Sequence, residues 1–189
     1  MPGPPSASPA LQLREIDSAS EPALAAAMGV EGDLVQLRFA RGCRCFAGWR
    51  GEEVIAYGWL TQGPEWIGEL ELEIRPGAGE AYVWNCVTLP QHRRRGLFRA
   101  LLLHIAEECR REGLGRLWIG GLGAEPAAKA LPEAGFSPVL QFELERLPDA
   151  GRLRVEAAPT ADPALVPALL AAVGLALGTF VRPVRTRVH

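Results

Sequence analysis

The sequence predicts an α/β (α+β) fold with a mixed, mostly antiparallel sheet, a central β-α-β crossover and flanking helices. Apolar segments at residues 43–49 and 53–60 are typical of strands, and the short Arg-Gly-Glu stretch between them has the composition of a hairpin turn. Farther along, a strand-like, a helix-like and a second strand-like segment follow one another at residues 81–89, 98–112 and 116–119. That succession indicates a crossover between parallel strands, so we expect antiparallel and parallel pairs in one sheet.

The first elements are expected to be a strand and a helix. Residues 1–10 contain several prolines among small residues, a composition typical of a disordered leader. Residues 11–16 follow as the first strand. The alanine-rich stretch 21–28 is predicted to be a helix, with Ser20 as its N-cap and Gly29 as its stop.

The middle of the chain is predicted to form another strand and then the crossover. Residues 66–74 alternate apolar and acidic side chains, which favours one strand. Residues 81–89 are rich in β-branched and aromatic side chains and end before Pro90, which cannot donate to a strand ladder. The next helix is expected to stop at Gly113. Its apolar stripe has helical spacing and consists of Phe98, Leu101, Leu102, Ile105 and Cys109.

The segment between that strand and that helix carries the strongest functional signal in the chain. It reads Arg-Arg-Arg-Gly-Leu-Phe over residues 93–98. The first N–H groups of a helix lack partners inside the helix and lie at the positive end of its dipole, so they favour an anion such as pyrophosphate. Gly96 lets a ligand approach the backbone closely, and the arginines add positive potential. A solvated basic turn is the alternative, but the strand–turn–helix context favours phosphate binding.

Residues 90–98 resemble the acetyl-CoA loop of the GNAT superfamily of N-acetyltransferases. The family pattern Q/R-x-x-G-x-G/A is met at Arg93 and Gly96, whereas Phe98 stands where the pattern has a small residue. Residues 126–136 resemble the next helix of the family, which ends in Gly-Phe. The resemblance extends over residues 11–147, which are therefore expected to form the acetyltransferase domain.

This resemblance implies an acetyl-CoA-dependent N-acetyltransferase, an acyltransferase that transfers groups other than aminoacyl groups. Acetyl-CoA would lie where two parallel strands splay apart, expected at residues 82–89 and 117–120. The amine of a small molecule or a protein would attack the thioester directly. The residues expected to hold the pantetheine arm and the pyrophosphate are Cys86, Val87, Thr88, Arg93, Arg94, Arg95, Gly96, Leu97, Phe98 and Arg99.

The base that accepts the proton of the amine is sought among the glutamates. Glu69, Glu71 and Glu73 are expected to share one face of the predicted strand, and Glu80 stands at the mouth of the next strand. Of these, Glu71, Glu73 and Glu80 are the candidate bases, which would act directly or through a water molecule. The alternative is a solvated outer strand face, of which alternating polar positions are typical.

The acid that protonates the leaving thiolate is a tyrosine in many members of the family, and it is missing here. The matching position is Pro132 or, with a shifted alignment, Leu131, and neither side chain can donate a proton. The asparagine often found at the start of the same helix is replaced by Ala124 or Glu125. The alternative function is therefore a catalytically weak or inactive acyl-CoA-binding regulatory module on the same fold.

Residues 148–189 form an extension beyond the resemblance. They are predicted to form a strand at 153–156, a strongly apolar helix at 163–177 and a strand at 180–188. The sequence of this extension weakly resembles that of the N-terminal strand and helix, which is consistent with a truncated repeat. Alanine-rich composition alone can also produce such a resemblance. A helix this apolar must bury its faces, so we expect it to cover the sheet or to form a homodimer contact.

Composition and charge exclude several other classes of protein. The net charge is −2 over 189 residues, and one compact arginine cluster lacks the broad basic and aromatic face of an RNA-binding module, so no nucleic-acid partner is expected. No apolar run is long enough to span a bilayer and the N-terminus lacks the features of a signal peptide, so we expect no membrane partner and a cytoplasmic location. The four cysteines lack metal-ligand spacing, which favours buried apolar roles and no metal.

Overall fold

The fold combines many short strands with fewer helices. The computed structural model describes residues 10–121 and 129–183. Its strands are β1 (Leu11–Glu15), β2 (Arg44–Arg50), β3 (Glu53–Thr61), β4 (Glu65–Ile67), β5 (Leu72–Ile74), β6 (Glu80–Thr88), β7 (Arg116–Ile119), β8 (Leu140–Arg146), β9 (Ala150–Ala157) and β10 (Gly178–Pro183). Its α-helices are α1 (Glu21–Met28), α2 (Val35–Ala40), α3 (Leu97–Arg111) and α4 (Val166–Val173). Short 3₁₀ segments span Ser18–Ser20, Gly29–Leu34, Pro90–His92 and Pro132–Ala134.

The central sheet is mixed and mostly antiparallel, which confirms the predicted fold class. Its strand order is β1-β2-β3-β6-β7. The pairs are antiparallel except for β6 with β7, which run parallel. Because α3 joins these two strands, they form the predicted crossover, and β2 and β3 form the predicted hairpin.

Different helices cover the two faces of this sheet. Successive residues of a strand point to opposite faces, so Phe46 of β2 packs beneath α3 while its neighbours Cys45 and Ala47 pack beneath α1 and α2. The stripe predicted for α3 is buried in the first of these clusters, with Leu101, Leu102, Ile105 and Cys109 almost inaccessible to solvent. Cys43 joins Cys45 in the second cluster, as predicted from their alternation.

Residues 66–74 do not form a single strand, so that prediction is wrong. The short strands β4 and β5 pair with each other as a hairpin, Glu65 against Ile74 and Ile67 against Leu72. Glu71, just before β5, has a φ of +51°, a left-handed conformation that a continuous strand excludes. The three glutamates of this stretch therefore do not lie on one strand face.

The C-terminal part of the chain adds a three-stranded antiparallel sheet in the order β10-β9-β8. The domain boundary predicted after residue 147 falls in the turn between β8 and β9, and the division into domains stays a prediction. The helix α4 is shorter than the predicted 163–177. A turn in which Asp162 Oδ1 accepts from the Ala164 N–H over 2.9 Å precedes it, and Gly174, with a φ of +64°, ends it.

Some predicted features lie outside the described residues. These are residues 1–9 of the leader, residues 122–128 with Ala124 and Glu125, and residues 184–189 of the last strand. In the described ranges, no helix is long and apolar enough to cross a membrane. The same ranges contain no group of three or more His, Cys, Asp or Glu side chains arranged to hold a metal ion.

Candidate active site

The parallel strands β6 and β7 are paired over only part of β6. Pairing begins with Glu80 opposite Arg116 and ends with Val83 opposite Ile119. Beyond that point β6 continues to Thr88 alongside β3, whereas β7 has ended. Among the described residues, no strand pairs with this edge of β6 at residues 84–88. The two strands therefore separate here, and we call the opening between them, where the sequence resemblance predicts acetyl-CoA, the cleft.

A β-bulge bends β6 at the start of this open edge. The register shifts between Tyr57 and Trp59 of β3, so that Asn85 and Cys86 together oppose the single residue Gly58. Asn85 has a φ of +45°, a left-handed value that asparagine adopts more readily than most residues. The bulge thus sets the direction of the strand in the cleft.

The N-terminus of α3 opens at the far end of the cleft. Gly96 precedes the helix with a φ of +72°, and no side chain caps the first turn. A Cβ added to Gly96 would meet no atom within 4 Å, so the space in front of the helix is open. Arg94 also has a positive φ of +62°. Such left-handed residues in a turn direct successive N–H groups into a concavity of the kind that binds phosphate.

The arginines of this loop divide into two pairs. Arg93 Nε donates to the Thr88 carbonyl over 3.2 Å, and Arg99 Nε donates to the Glu133 carbonyl over 2.8 Å. These two side chains therefore fasten the loop to β6 and to the segment after β7. Arg94 and Arg95 are exposed and make no hydrogen bond or ion pair with another described residue, so their charges are available to an anion.

The predicted pantetheine-facing residues Cys86, Val87 and Thr88 all lie on the open half of β6 and are partly buried. Burial alone raises the pKa of the Cys86 thiol to about 12, which disfavours the thiolate that a nucleophilic cysteine requires. Thr88 Oγ1 is buried without a hydrogen-bond partner among the described residues. A buried hydroxyl in that condition is usually satisfied by an ordered water.

Glu71 and Glu73, predicted as candidate bases, belong to the β4-β5 hairpin and not to the cleft strands. Glu71 Oε1 lies 3.4 Å from Arg146 Nη2 of β8, and Glu73 Oε1 lies 2.5 Å from Arg75 Nη2. The Glu71 carbonyl also accepts from Arg182 Nη1 over 3.2 Å. Their role as bases stays a prediction, and their place outside the cleft strands does not favour it.

Glu80, the third candidate base, lies at the paired end of β6. With a strand rise of about 3.3 Å per residue, it is roughly 16 Å from Asn85 along the strand. Its carboxylate accepts from Trp118 Nε1 over 2.8 Å and from the Gly77 N–H over 3.1 Å, and it pairs with Arg116. Burial acts to raise the pKa of Glu80, but these hydrogen bonds outweigh it and the pKa lies below the ordinary value. Its surroundings support a structural role.

A carboxylate that the sequence analysis did not select lies beside the bulge. Glu31 belongs to the 3₁₀ segment between α1 and α2, and its Oε2 accepts from Asn85 Nδ2 and from Arg38 Nη2, each over 3.0 Å. The Glu31 side chain is 48% exposed, whereas that of Arg38 is only 8% exposed. Glu31 and Asn85 are 54 residues apart, and no local motif connects them.

Two tryptophans surround the buried Arg38. The guanidinium carbon lies 4.6 Å from the ring centroid of Trp84 and 5.1 Å from that of Trp59. These cation–π contacts offset part of the cost of burying the charge. Arg38 Nη1 and both indole N–H groups are buried without a hydrogen-bond partner in the described part of the chain. Unpartnered buried donors indicate that a water or a ligand supplies acceptor atoms here.

Comparison with known proteins identifies the family. Residues 11–136 match the family model described as "Acetyltransferase (GNAT) family". This chain belongs to the GNAT acetyltransferase family. Members of the family use acetyl-CoA. The matched residues include the central sheet, the bulge and the loop at residues 89–96 before α3, here called the α3 loop. The resemblance predicts that Pro132 or Leu131 stands where many members carry a tyrosine acid, and these two residues lie at the start of the 3₁₀ turn Pro132–Ala134.

The most informative relatives are acetyltransferases. [Ribosomal protein bS18]-alanine N-acetyltransferase of Escherichia coli (strain K12) is 39% identical over 59 residues, which are 31% of this chain and 40% of that protein. The match thus spans about two fifths of the length of this relative. Ribosomal-protein-alanine N-acetyltransferase from Brucella melitensis biovar Abortus 2308 superposes with a TM-score of 0.55 and 12% identity, over 73% of this chain and 99% of that one.

A third relative is a solved complex with CoA. Aminoglycoside N-acetyltransferase AAC(6')-Iy in complex with CoA superposes with a TM-score of 0.57 and 12% identity, over 76% of this chain and 98% of that one. At such identities, the solved structures demonstrate a shared fold only.

Proposed function

We propose that this protein is an acetyl-CoA-dependent N-acetyltransferase that transfers the acetyl group to the amine of a protein or a small molecule. One observation carries the proposal. The open edge of β6 at residues 84–88 leads directly to the uncapped N-terminus of α3. An extended arm that carries a pyrophosphate fits this arrangement, because the edge offers backbone hydrogen bonds and the helix offers unpaired N–H groups.

The chain's own residues would hold acetyl-CoA at two places. The backbone N–H and C=O groups of residues 86–88 face the pantetheine arm. The N–H groups around Gly96, with the charges of Arg94 and Arg95, bind the pyrophosphate. Acetyl-CoA supplies the activated acetyl group.

In the proposed reaction, the amine is held at the bulge, next to the acetyl group. The amine nitrogen forms a bond to the acetyl carbon as the carbon–sulfur bond breaks, CoA leaves as its thiolate, and the nitrogen loses a proton. A backbone N–H of the open edge stabilises the negative charge that develops on the acetyl oxygen. Holding the two substrates together supplies much of the acceleration. Since neither Leu131 nor Pro132 can donate a proton, we infer that solvent protonates the thiolate.

The first acceptor to test is an alanine amine. The partial match to [Ribosomal protein bS18]-alanine N-acetyltransferase supports a peptide that begins with alanine as that acceptor. An aminoglycoside serves as the small-molecule comparison, because a fold neighbour bears that name.

Calorimetric titration with acetyl-CoA tests the proposal. We expect the wild type to bind, and Gly96→Glu to lose binding because its carboxylate repels the pyrophosphate. Gly113→Glu is the matched control, since Gly113 also has a positive φ, of +80°, and open space around its Cβ position, but it lies at the other end of α3. Equal loss in both variants, or no binding by the folded wild type, would contradict the proposal. Binding without turnover of any amine would favour the non-catalytic acyl-CoA-binding module.

A further inference from the structure

The Glu31 carboxylate is held on one side and open on the other. Both hydrogen bonds from Arg38 and Asn85 go to Oε2. Oε1 has no hydrogen-bond partner among the described residues, and the side chain is 48% exposed. One oxygen therefore fixes the group in place, and the second can accept an N–H from a bound molecule.

The carboxylate is also placed at the acetyl-transfer end of the cleft. Asn85 belongs to the bulge at the start of the open edge. Its side-chain amide donates to Glu31, so the carboxylate lies beside this part of the β6 backbone. The opposite face is closed, because a Cβ on Gly58 would meet Cys86 Sγ at 2.9 Å and Ile105 Cδ1 at 3.4 Å beneath α3. An acceptor therefore approaches the bulge from the face that carries α1, the 3₁₀ segment and α2.

We propose that Glu31 binds the ammonium group of the acceptor, so that the substrates of this enzyme are amines that arrive protonated. The inference rests on the proposed N-acetyltransferase function and adds a substrate class and the residue that recognises it. A charge-assisted hydrogen bond from N⁺–H to a carboxylate is about twice as strong as a neutral one, so the open oxygen discriminates an ammonium from an uncharged group of the same shape.

Arg38 and Asn85 are positioning residues in this scheme. Arg38 is buried between Trp59 and Trp84, and its planar guanidinium holds Oε2 without reaching Oε1. Asn85 ties the same oxygen to the strand that binds acetyl-CoA. The two contacts couple the acceptor site to the bulge, so the nitrogen and the acetyl carbon are held in a defined relation.

The ammonium nitrogen loses two protons during the reaction. The ammonium passes one proton to Glu31 Oε1, which returns it to solvent through its exposed side. The neutral nitrogen then forms the bond to the acetyl carbon, the carbon–sulfur bond breaks, and the second proton of the nitrogen ends on the CoA thiolate through solvent. The products are the amide, CoA with a free thiol and one proton in solution.

A matched pair of probes tests the ammonium preference. Alaninamide carries an ammonium, and lactamide has a hydroxyl in its place at nearly the same size. Each is titrated by NMR into the wild type, Glu31→Gln and Asp33→Asn, all saturated with CoA so that no acetyl transfer occurs. Asp33 is the control because it lies in the same 3₁₀ segment, is exposed, and does not contact Asn85 or Arg38.

We expect the wild type and Asp33→Asn to bind alaninamide at least about tenfold more tightly than lactamide, and Glu31→Gln to lose that preference. A preference retained by Glu31→Gln, or a wild type that binds both probes equally or binds neither, would overturn the inference. Titration with CoA itself separates this result from the proposed function. Equal CoA affinity in all three proteins establishes that the cofactor site and the fold are intact, whereas no CoA binding by the wild type means that the proposed function has failed first.

Discussion

Gly58 of β3 and Cys86 of β6 lie side by side with no room for a methyl group between them. A Cβ on Gly58 would stand 2.9 Å from Cys86 Sγ and 3.4 Å from side-chain atoms of Leu101 and Ile105. Because Gly58 opposes both bulge residues, its small size lets β6 bend beneath α3. The bulge is thus fixed by close packing on this face and by the hydrogen bond of Asn85 to Glu31 on the other.

Gly58→Ala is expected to destabilise the protein by about 1–3 kcal/mol, the usual cost of overpacking a core. Cys86→Ala in the same chain removes the sulfur and should recover part of that loss. Urea denaturation of both single variants and the double variant measures the coupling, which we expect to reach about 1 kcal/mol because the two side chains touch.

A neighbouring glycine provides the control for that series. In Gly48→Ala the atoms nearest the new Cβ would be side-chain atoms of Leu11 and Leu13 at 3.4 Å. That is an ordinary contact distance, so this variant should lose less stability than Gly58→Ala. Strictly additive effects of Gly58→Ala and Cys86→Ala would show that the crowding at the bulge is not what the glycine relieves.

The α3 loop could be predicted because its signals are local. The apolar stripe has helical spacing, Gly113 ends the helix, and Arg93 to Gly96 fill the turn before it, so the expected helix at 98–112 agrees closely with the observed Leu97–Arg111. The left-handed conformation of Arg94 could not be predicted, since arginine has no preference for it.

Arg94→Gly is expected to stabilise the protein while it weakens acetyl-CoA binding. A side chain at a φ of +62° costs about 1–2 kcal/mol relative to glycine, and the greater freedom of glycine in the unfolded chain cancels part of the gain. We therefore expect a net gain of about 0.5–1 kcal/mol in urea denaturation. The lost charge should reduce affinity in calorimetry, more at low salt than at high salt.

Arg95→Gly separates these two effects. Arg95 is not among the described residues with positive φ, so glycine there removes the same charge without relieving strain. We expect a similar loss of affinity and no gain in stability. If Arg94→Gly is no more stable than Arg95→Gly, the left-handed conformation does not store the strain that we ascribe to it.

Two substitutions of Asn85 should separate the effect of the bulge backbone from the effect of the Asn85 side chain. Glycine tolerates a φ of +45°, so Asn85→Gly is expected to keep acetyl-CoA affinity within about twofold while the KM for the amine rises, because Glu31 loses a positioning contact. Asn85→Val is disfavoured at this φ by about 1–3 kcal/mol and should weaken acetyl-CoA binding as well. Calorimetry and steady-state kinetics measure the two effects. A fall in acetyl-CoA affinity that is equal in both variants would contradict a separate role for the amide.

The acceptor side of the site could not be predicted from the sequence because it depends on contacts between distant segments. Glu31 lies in a 3₁₀ stretch without apolar periodicity. Its partner Asn85 lies in an otherwise largely apolar strand, and the register shift of the bulge appears only in the pairing with β3. The prediction of a single strand over residues 66–74 failed for a related reason. Their alternation has the period of a strand, and only the left-handed Glu71 shows that the chain reverses there. Selection of Glu71 and Glu73 as bases depended on that single strand.

Glu80 should make stability depend on pH. Burial opposes its ionisation, but hydrogen bonds from Trp118, the Gly77 N–H and Arg116 lower the pKa of Glu80 below its ordinary value of 4.5. A carboxyl whose pKa is lowered by folding stabilises the protein fully above its unfolded pKa and loses that contribution as the pH falls through the folded pKa. The stabilisation is therefore complete near neutral pH and declines below 4.5.

Glu80→Gln is expected to cost about 1–3 kcal/mol at pH 7, since it removes a buried charge that accepts several hydrogen bonds. Urea denaturation at a series of pH values should show the difference between the wild type and the variant shrinking as the pH falls below 4.5. Glu143→Gln is the control. Its ion pair with Arg154 is exposed on both sides, and exposed pairs contribute less than about 1 kcal/mol. If the cost of Glu80→Gln stays constant down to the acid end of the series, the loss comes from the shape of the amide. The ionised form of Glu80 then does not stabilise the fold.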